Sequence, residues 1–412
     1  MKQEIEKLMQ ENNAAALWIS GAAQHNPSMV YLTGDAHLTS GDLFFQPGRT
    51  PCLLHGPMER DEAAKSGYQL INYASYPLQP YLEQAHGDRA EADALRYQMI
   101  LKDVGLTSGK VLLYGEREFG PFFDLITRLK RLMPELDFQA DINEAVLMEA
   151  RATKSPEELE HIRQMGKTTV EVVAKTLEFL RSQQVSGDVL VQDDGSALTI
   201  GDVKRRINLW LAEEKAENPE DTIFAIGRDA GVPHSSGTPS DPIRLGETIV
   251  YDIFPCEAGG GYFYDFTRTW CLGYASDEII QTYDQVKEVY DKMLASVKTF
   301  TDPGIYQDLT CDLFEEMGHD TIRKNPLVQQ GYVHSLGHGV GLNVHEKPWF
   351  RRSNDPTNIL RPGSVFTLEP GLYYPEKGFG IRLEDTFFMT EDLKVERFVD
   401  FPMELVIPMK GS

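Results

Sequence analysis

The stretch His-Ser-Leu-Gly-His-Gly-Val-Gly-Leu-Asn-Val-His-Glu, residues 334–346, contains three of the ten histidines of this 412-residue chain. A helix would carry His334 and His338 on one face, because residues four apart are neighbours on a helix surface. Three glycines alternate through the middle of the stretch, however, and each costs a helix about 1 kcal/mol relative to alanine. We therefore predict an extended, bent segment whose small residues allow close approach to the main chain and whose imidazoles face a common site.

Two predicted β-hairpins, one on each side of this stretch, carry opposed carboxylates. Residues 249–255 and 262–270 flank the turn Glu-Ala-Gly-Gly-Gly, and a symmetric register places Asp252 opposite Asp265. Residues 365–370 and 379–388 form the second hairpin, in which Glu369 lies opposite Glu384. Like charges in directly opposed positions are destabilising. Each pair therefore needs a shared proton or a bound cation.

Considered one at a time, these histidines could be structural and each acidic pair an accident of the surface. Two such pairs with glycine-spaced histidines between them argue against coincidence. Four carboxylates and an imidazole form an oxygen-rich ligand set that suits two divalent ions, Mn²⁺ or Co²⁺ with Zn²⁺ as a further option. Two such ions can activate water and polarise a carbonyl group, which predicts metal-assisted hydrolysis.

The composition excludes several classes of partner. The chain has 40 basic and 63 acidic residues, and its formal net charge of −23 at pH 7 would repel nucleic acid. No apolar run reaches the roughly 20 residues that a bilayer span needs, so we expect no membrane partner. The four cysteines are scattered without metal-binding or disulfide spacing, which favours the reducing cytoplasm.

A chain of this length predicts two domains. Residues 1–153 alternate strand-like segments (14–19, 29–34, 50–54) with helix-like ones (90–101, 122–132), which indicates an α/β domain. The sequence Ser-Pro-Glu-Glu at 155–158 is typical of a helix start, with a serine N-cap and a glutamate three residues later. We therefore begin the second domain, residues 154–412, at this helix.

The acidic residues and the histidine then resemble a known ligand set. In chain order, the matching residues are Asp252, Asp265 in Tyr-Asp-Phe-Thr-Arg-Thr, His338 in His-Ser-Leu-Gly-His-Gly, Glu369 in Leu-Glu-Pro-Gly, and Glu384 in Ile-Arg-Leu-Glu-Asp. They resemble the five dinuclear-metal ligands of the pita-bread metallopeptidases, which include methionine aminopeptidases, prolidases and aminopeptidase P enzymes. The resemblance is strong from residue 154 onward. The first domain resembles the creatinase-type N-terminal domain more weakly, through Val-Tyr-Leu-Thr-Gly at 30–34.

The resemblance implies a role for each metal ligand. Asp252 is similar to the bidentate ligand of one metal, and Asp265 and Glu384 are similar to the bridging ligands. His338 and Glu369 resemble the ligands of the other metal. Glu369 also resembles the residue that handles the proton of the nucleophilic water.

Four further residues resemble groups that contact the substrate. His234 and His345 are similar to two imidazoles that contact the peptide and stabilise the tetrahedral intermediate. Without the resemblance, His234 would be read as structural. His334 and Arg382 resemble residues of the proline-specific branch. The gap of 13 residues between Asp252 and Asp265 is about two longer than is usual in the family, which implies a longer turn.

We therefore predict an α/β, creatinase-like N-terminal domain followed by an α+β pita-bread catalytic domain. The predicted activity is hydrolysis of Xaa-Pro peptide bonds, by an Xaa-Pro dipeptidase or an Xaa-Pro aminopeptidase; the residues do not separate these two. The alternatives are an inactive pita-bread binding module and a creatinase-type amidinohydrolase, both of which lack the five-ligand set. The expected partners are small peptides with proline in the second position and a second copy of the chain in a homodimer.

Overall fold

The computed structural model describes residues 3–34 and 36–409. The chain forms two compact units, residues 1–150 with 259–261, and residues 151–258 with 262–412. The predicted boundary between residues 153 and 154 stays a prediction. Within the described ranges, no helix is both long enough and apolar enough to cross a bilayer.

The first unit is built on a six-stranded mixed sheet in the order β4-β3-β2-β1-β5-β6. Along β1, Leu17 and Ile19 pack into one apolar cluster and Ala16 and Trp18 into another, so both faces of the sheet are covered. The elements are α1 (Gln3–Glu11), β1 (Ala14–Gly21), α2 (Pro27–Thr33), β2 (Gly41–Phe45), β3 (Cys52–His55), α3 (Arg60–Ala64), β4 (Gln69–Asn72), α4 (Leu78–Gln84), α5 (Arg89–Asp103), β5 (Gly109–Gly115), α6 (Phe119–Leu132), β6 (Leu136–Ala140) and α7 (Leu147–Arg151).

The strand predicted at residues 29–34 is wrong, because this segment belongs to helix α2. The side chain of Asn26 caps the helix by accepting a hydrogen bond from the backbone N–H of Met29, and Pro27 occupies the first turn. An asparagine N-cap followed by proline is a helix start signal. Here it prevails over the strand preference of Val30 and Tyr31.

The second unit begins with the long helix α8, whose predicted capping box between Ser155 and Glu158 is present. Its two larger sheets have the orders β10-β11-β13-β21 and β15-β14-β16-β19-β20. The elements are α8 (Pro156–Ser182), β7 (Gln184–Ser186), β8 (Val189–Val191), α9 (Ile200–Glu213), β9 (Ala216–Glu217), β10 (Ile223–Ile226), β11 (Thr248–Ile253), β12 (Cys256–Glu257), β13 (Phe266–Leu272), α10 (Asp277–Ser296), α11 (Gly304–Glu316), β14 (His338–Gly339), β15 (Glu346–Trp349), β16 (Val365–Leu368), β17 (Gly371–Tyr374), β18 (Phe379–Arg382), β19 (Asp385–Met389), β20 (Val395–Arg397) and β21 (Val406–Ile407).

The two hairpins differ in how well their register was predicted. In the first, Asp252 pairs with Thr267, so the predicted pairing with Asp265 is wrong by two residues. The reason is that the segment joining the two strands is not a simple symmetric turn. Within it, Cys256 forms a β-bridge with Phe263 and also pairs, through the short strand β12, with Glu217 of β9. In the second hairpin the predicted register is confirmed. Leu368 pairs with Asp385, which places Glu369 and Glu384 at the next opposed positions.

A buried ion triad holds the strand that follows His345. Glu346 Oε1 accepts a hydrogen bond from Lys154 Nζ at 2.5 Å, and Glu346 Oε2 accepts one from Arg151 Nη2. The three side chains are at most 6% exposed, so water screens these charges little. The triad therefore joins residues 151–154, at the start of the second unit, to strand β15.

Removal of the central carboxylate from this triad should strongly destabilise the second unit. In Glu346→Ala, Arg151 and Lys154 would remain as buried unpaired cations, and we expect the free energy of unfolding to fall by about 3–5 kcal/mol. Guanidinium unfolding followed by tryptophan fluorescence measures the change. Lys287→Ala is the matched control, since it removes an exposed pair with Asp291 and should cost less than about 1 kcal/mol. Equal losses in the two variants would contradict a stabilising role for the triad.

Candidate metal centre and active site

One cavity of about 540 Å³ in the second unit collects every residue that the sequence analysis assigned to the site. Strand ends and loops of both larger sheets supply these residues. Asp252 lies in β11, Asp265 precedes β13, His338 lies in β14, and Glu369 follows β16. The nine residues are Asp252, Asp265, His338, Glu369, Glu384, His234, His334, His345 and Arg382.

Three buried residues form the centre of this cavity. One ligand atom from each of Asp265, His338 and Glu384 lies within 4.8 Å of the other two. His338 Nδ1 lies 3.1 Å from the carbonyl oxygen of Gly339 and must donate a hydrogen to it. The other nitrogen, Nε2, is therefore unprotonated and presents its lone pair towards Asp265 Oδ2, 3.5 Å away. This is the tautomer that a metal-binding imidazole requires.

Several carboxylate oxygens of the cavity are buried without a hydrogen-bond donor. Asp252 Oδ1, Asp265 Oδ1 and Glu384 Oε1 accept no hydrogen bond from any residue that the structure describes. Burial, reinforced by the charges of Asp252 and Glu369, raises the pKa of Asp265 well above its usual value. Burial and the charge of Asp265 do the same to the pKa of Glu384. Buried acidic oxygens without donors fit divalent cations, whose charge offsets the cost of ionising them.

Glu369 connects this centre to His334. Its Oε1 lies 3.5 Å from His338 Nε2, and its Oε2 lies 3.9 Å from His334 Nδ1. Burial raises the pKa of Glu369 to about 8, although the guanidinium of Arg382 opposes the shift. The carboxylate therefore lies where it can face both the metal ligands and a substrate in the cavity.

A chain of hydrogen bonds links Asp252 to His334. Arg382 Nη2 donates to Asp252 Oδ2 at 2.6 Å, and Arg382 Nη1 donates to the Tyr373 hydroxyl at 2.7 Å. Tyr373 donates in turn to His334 Nε2 at 2.8 Å, because His334 Nδ1 uses its hydrogen for the carbonyl oxygen of Ser335 at 2.7 Å. Burial and the positive charge of Arg382 lower the pKa of His334 to about 3, so this imidazole is neutral.

The other two predicted histidines lie at the exposed side of the cavity. The imidazoles of His345 and His338 are in contact, with ring centroids 4.2 Å apart. His234 follows the short turn after β10 and is solvent-exposed. Both imidazoles can therefore reach a bound peptide without belonging to the buried centre.

The three glycines around His338 allow close approach, as predicted, but the groups that approach belong to the protein itself: main chain at Gly337 and Gly339, and a side chain at Gly341. A Cβ atom on Gly337 would lie 2.1 Å from the carbonyl oxygen of Thr367, and one on Gly339 would lie 2.1 Å from that of Lys347. A Cβ atom on Gly341 would lie 2.2 Å from Glu346 Oε1. These glycines therefore let β14 fit between its neighbours, and this packing fixes the position of His338.

Sequence reasoning missed two residues that contact the site. The hydroxyl of Thr267 donates to Glu384 Oε2 at 2.7 Å, and Tyr373 joins Arg382 to His334. Thr267 belongs to the motif Tyr-Asp-Phe-Thr-Arg-Thr that contains Asp265, so the sequence did offer a signal for its place near the site. Tyr373 lies on the same face of the β17–β18 hairpin as Arg382, since Gly371 pairs with Arg382. That placement was visible only once the register was known.

Comparisons with known proteins identify the family of this chain. The family model described as "Metallopeptidase family M24" matches residues 160–391, which is more than half of the chain. The Xaa-Pro dipeptidase of Pyrococcus horikoshii is 27% identical over 401 residues, 95% of this chain and 95% of that protein. The probable dipeptidase PepE of Mycobacterium tuberculosis is 29% identical over 265 residues. That match covers 64% of this chain and 62% of PepE, less than two thirds of its length.

A solved structure shows the same fold. The X-Pro aminopeptidase of Thermotoga maritima superposes with a TM-score of 0.73 at 21% identity, over 99% of each chain. The predicted fold class, an α/β N-terminal domain followed by an α+β pita-bread domain, is confirmed. The inactive binding module and the amidinohydrolase are not supported. The chain belongs to metallopeptidase family M24.

Proposed function

We propose that this protein is a metal-dependent peptidase that hydrolyses the bond before proline in small Xaa-Pro peptides. The observation that carries the proposal is the convergence of five candidate metal ligands and four candidate substrate-binding residues on one cavity. A relative that aligns over 95% of the chain and bears the name Xaa-Pro dipeptidase supports the substrate class. The domain limits follow the same proposal, with residues 1–153 as the creatinase-like domain and residues 154–412 as the catalytic domain.

We propose two divalent metal ions, manganese in the first instance and cobalt or zinc as alternatives. The residues that would hold them are Asp252, Asp265, His338, Glu369 and Glu384. When bound, such ions lower the pKa of water and polarise a carbonyl group. The hard oxygen ligands favour manganese.

The chain's own residues then move the proton and stabilise developing charge. Glu369 takes the proton that the attacking water loses and delivers it to the proline nitrogen as the C–N bond breaks. Its position between His338 and His334 supports this role. His345 donates an N–H to the carbonyl oxygen as negative charge develops there, and His234 contacts the peptide from the same exposed side.

Recognition of proline falls to His334 and Arg382 in this proposal. An Xaa-Pro bond has no amide hydrogen, so the site must use the apolar ring and the acceptors beyond it. Both ring nitrogens of His334 already have partners, which leaves its carbon atoms to pack against the pyrrolidine ring. Arg382 keeps Asp252 oriented and directs its positive charge to the carbonyl or carboxylate of the proline.

Location and assembly are part of the same proposal. We propose a cytoplasmic protein, because the four cysteines are all free and buried and therefore suit a reducing compartment. We also propose a homodimer, and light scattering of the purified protein tests it directly.

The activity itself is tested with three kinds of peptide. A metal-loaded preparation should release the first residue from Leu-Pro or Leu-Pro-Ala and leave Leu-Ala intact, as measured by amino-acid analysis. Cleavage of Leu-Pro alone would identify a dipeptidase, and cleavage of Leu-Pro-Ala as well would identify an aminopeptidase. Hydrolysis of Leu-Ala at the same rate would contradict proline specificity, and the absence of any hydrolysis would contradict the proposed function.

Metal should stabilise the protein more at pH 8 than at pH 5. The raised pKa values of Asp265, Glu369 and Glu384 mean that these groups bind protons in the folded, metal-free protein. Protonation of these carboxyl groups therefore stabilises the folded, metal-free protein at low pH. This contribution to the free energy of unfolding is lost as pH rises from about 4.5, the ordinary pKa of glutamate, through the folded-state pKa, which is about 8 for Glu369. Bound cations replace those protons, so Mn²⁺ should raise Tm most at pH 8. Scanning calorimetry with and without chelator measures this, and a pH-independent shift would contradict it.

Ligand and catalyst can be separated by measuring metal content alongside kinetics. Asp265→Asn removes a negative charge from the buried centre and should reduce bound metal. His345→Ala should leave the metal content unchanged and lower kcat by about 10²–10³, the usual loss for one oxyanion donor. Plasma emission spectrometry of dialysed protein reports the metal. Loss of metal in His345→Ala would show that this residue supports the centre itself.

A further inference from the structure

Two charged residues of the cavity, Glu220 and Arg351, have no place in the chemistry described above. Five carboxylates line the cavity, and four of them are proposed metal ligands. The fifth, Glu220, is solvent-exposed and forms no hydrogen bond or ion pair with any other residue that the structure describes. Because the metal-binding carboxylates are largely buried while Glu220 is exposed, Glu220 lies at the open end of the cavity.

Apolar side chains line the same cavity. Ile223 lies three residues after Glu220, and Phe254 and Val344 add further apolar wall. Glu220 and His345 line the same cavity, and both are solvent-exposed. An apolar wall that ends in a carboxylate suits an amphipathic cation, whose methylene groups pack against the wall while its charge reaches the acid.

The other unassigned charged residue of the cavity, Arg351, lies against an aromatic ring, which leaves its positive charge in place. The guanidinium of Arg351 stacks on the ring of Trp349, 5.3 Å from its centroid. A cationic substrate group would be repelled by Arg351 and attracted by a carboxylate. Among the described residues, Glu220 is thus the carboxylate of the cavity that lies outside the proposed metal-ligand set and can receive such a group.

Two parts of an Xaa-Pro substrate can carry positive charge, the amino terminus and a basic Xaa side chain. The amino nitrogen lies only about 2.5 Å from the carbonyl carbon under attack, because a single Cα atom separates them. It must therefore bind beside the buried carboxylates. The four-carbon stem of lysine, or the longer side chain of arginine, instead carries its charge away from the reacting centre.

We propose that Glu220 makes this peptidase selective for substrates with lysine or arginine before proline. The inference rests on the Xaa-Pro activity of the preceding subsection. The acidic chain, with a net charge of −23, adds a field that attracts such substrates during their approach.

The test compares kcat/KM for Arg-Pro, Leu-Pro and Glu-Pro, and for the same peptides extended by alanine, in wild-type protein and Glu220→Gln. Wild-type protein should favour arginine over leucine over glutamate. Glu220→Gln should lower kcat/KM for the arginine substrates roughly three- to tenfold, the range between an exposed ion pair and a charge-assisted hydrogen bond. The leucine substrates should change by less than about twofold.

Two further variants complete the experiment. Glu220→Lys should reverse the order of the arginine and glutamate substrates, and the arginine preference of wild-type protein should weaken as salt concentration rises. Glu213→Gln is the matched control, because it changes the net charge equally on an exposed residue outside the cavity. It should leave the preference unchanged.

Each contrary result has a distinct meaning. An equal fall for arginine and leucine substrates in Glu220→Gln would show that Glu220 serves the amino terminus or the fold, and would overturn the proposal. An equal effect of Glu213→Gln would show a general field effect and would also overturn it. Hydrolysis of Leu-Pro without any charge preference would overturn the selectivity but keep the peptidase. No hydrolysis of any Xaa-Pro peptide by metal-loaded protein would overturn both.

Discussion

Mutual repulsion among buried carboxylates is the constraint around which the second unit is arranged. Burial opposes the ionisation of Asp265, Glu369 and Glu384, and each lies close to other groups of the same charge. A hydrophobic core cannot solvate such a cluster. The buried guanidinium of Arg382 donates a hydrogen bond to Asp252, and the hydroxyl of Thr267 donates one to Glu384. Several carboxylate oxygens still have no donor among the described residues. The remaining charge is what divalent cations can neutralise.

The backbone places these side chains at interruptions of the sheets. Glu369 comes directly after β16, and Glu384 lies between β18 and β19. Glu384 forms a β-bridge with Thr267 of β13, in which the backbone N–H of each residue donates a hydrogen bond to the carbonyl oxygen of the other. The two larger sheets are therefore connected at Glu384, a proposed metal ligand, and a shift of either sheet would move the candidate metal centre. This connection couples the stability of the fold to the geometry of the site.

How much of the candidate site could be predicted from the sequence depends on the segments that connect its strands. The opposed position of Glu369 and Glu384 was predictable because the β17–β18 hairpin between them keeps the same register as the β16–β19 pair. Its strands are joined by a short turn, in which Gly378 adopts the left-handed conformation. The register of Asp252 was not, because its hairpin is joined by a folded segment with its own pairings. The partners of Tyr373 were also out of reach, because they depend on the fold around the β17–β18 hairpin. The helix at residues 27–33 was missed although its asparagine–proline start was present in the sequence.

The glycines of residues 334–346 allow the close approach that the sequence predicts, but the approaching groups belong to the protein itself. Alternating glycines predict an extended main chain that something can approach closely. In the structure, the groups that approach are the carbonyl oxygens of Thr367 in β16 and Lys347 in β15, the strands on either side of β14. A side chain at Gly337 or Gly339 would push β14 away from these neighbours and carry His338 with it. Gly341 likewise makes room for the carboxylate of Glu346, whose ion triad holds the strand after His345. The small residues therefore act on the candidate site through packing, since they fix the positions of His338 and His345 and leave the cavity side of both imidazoles open.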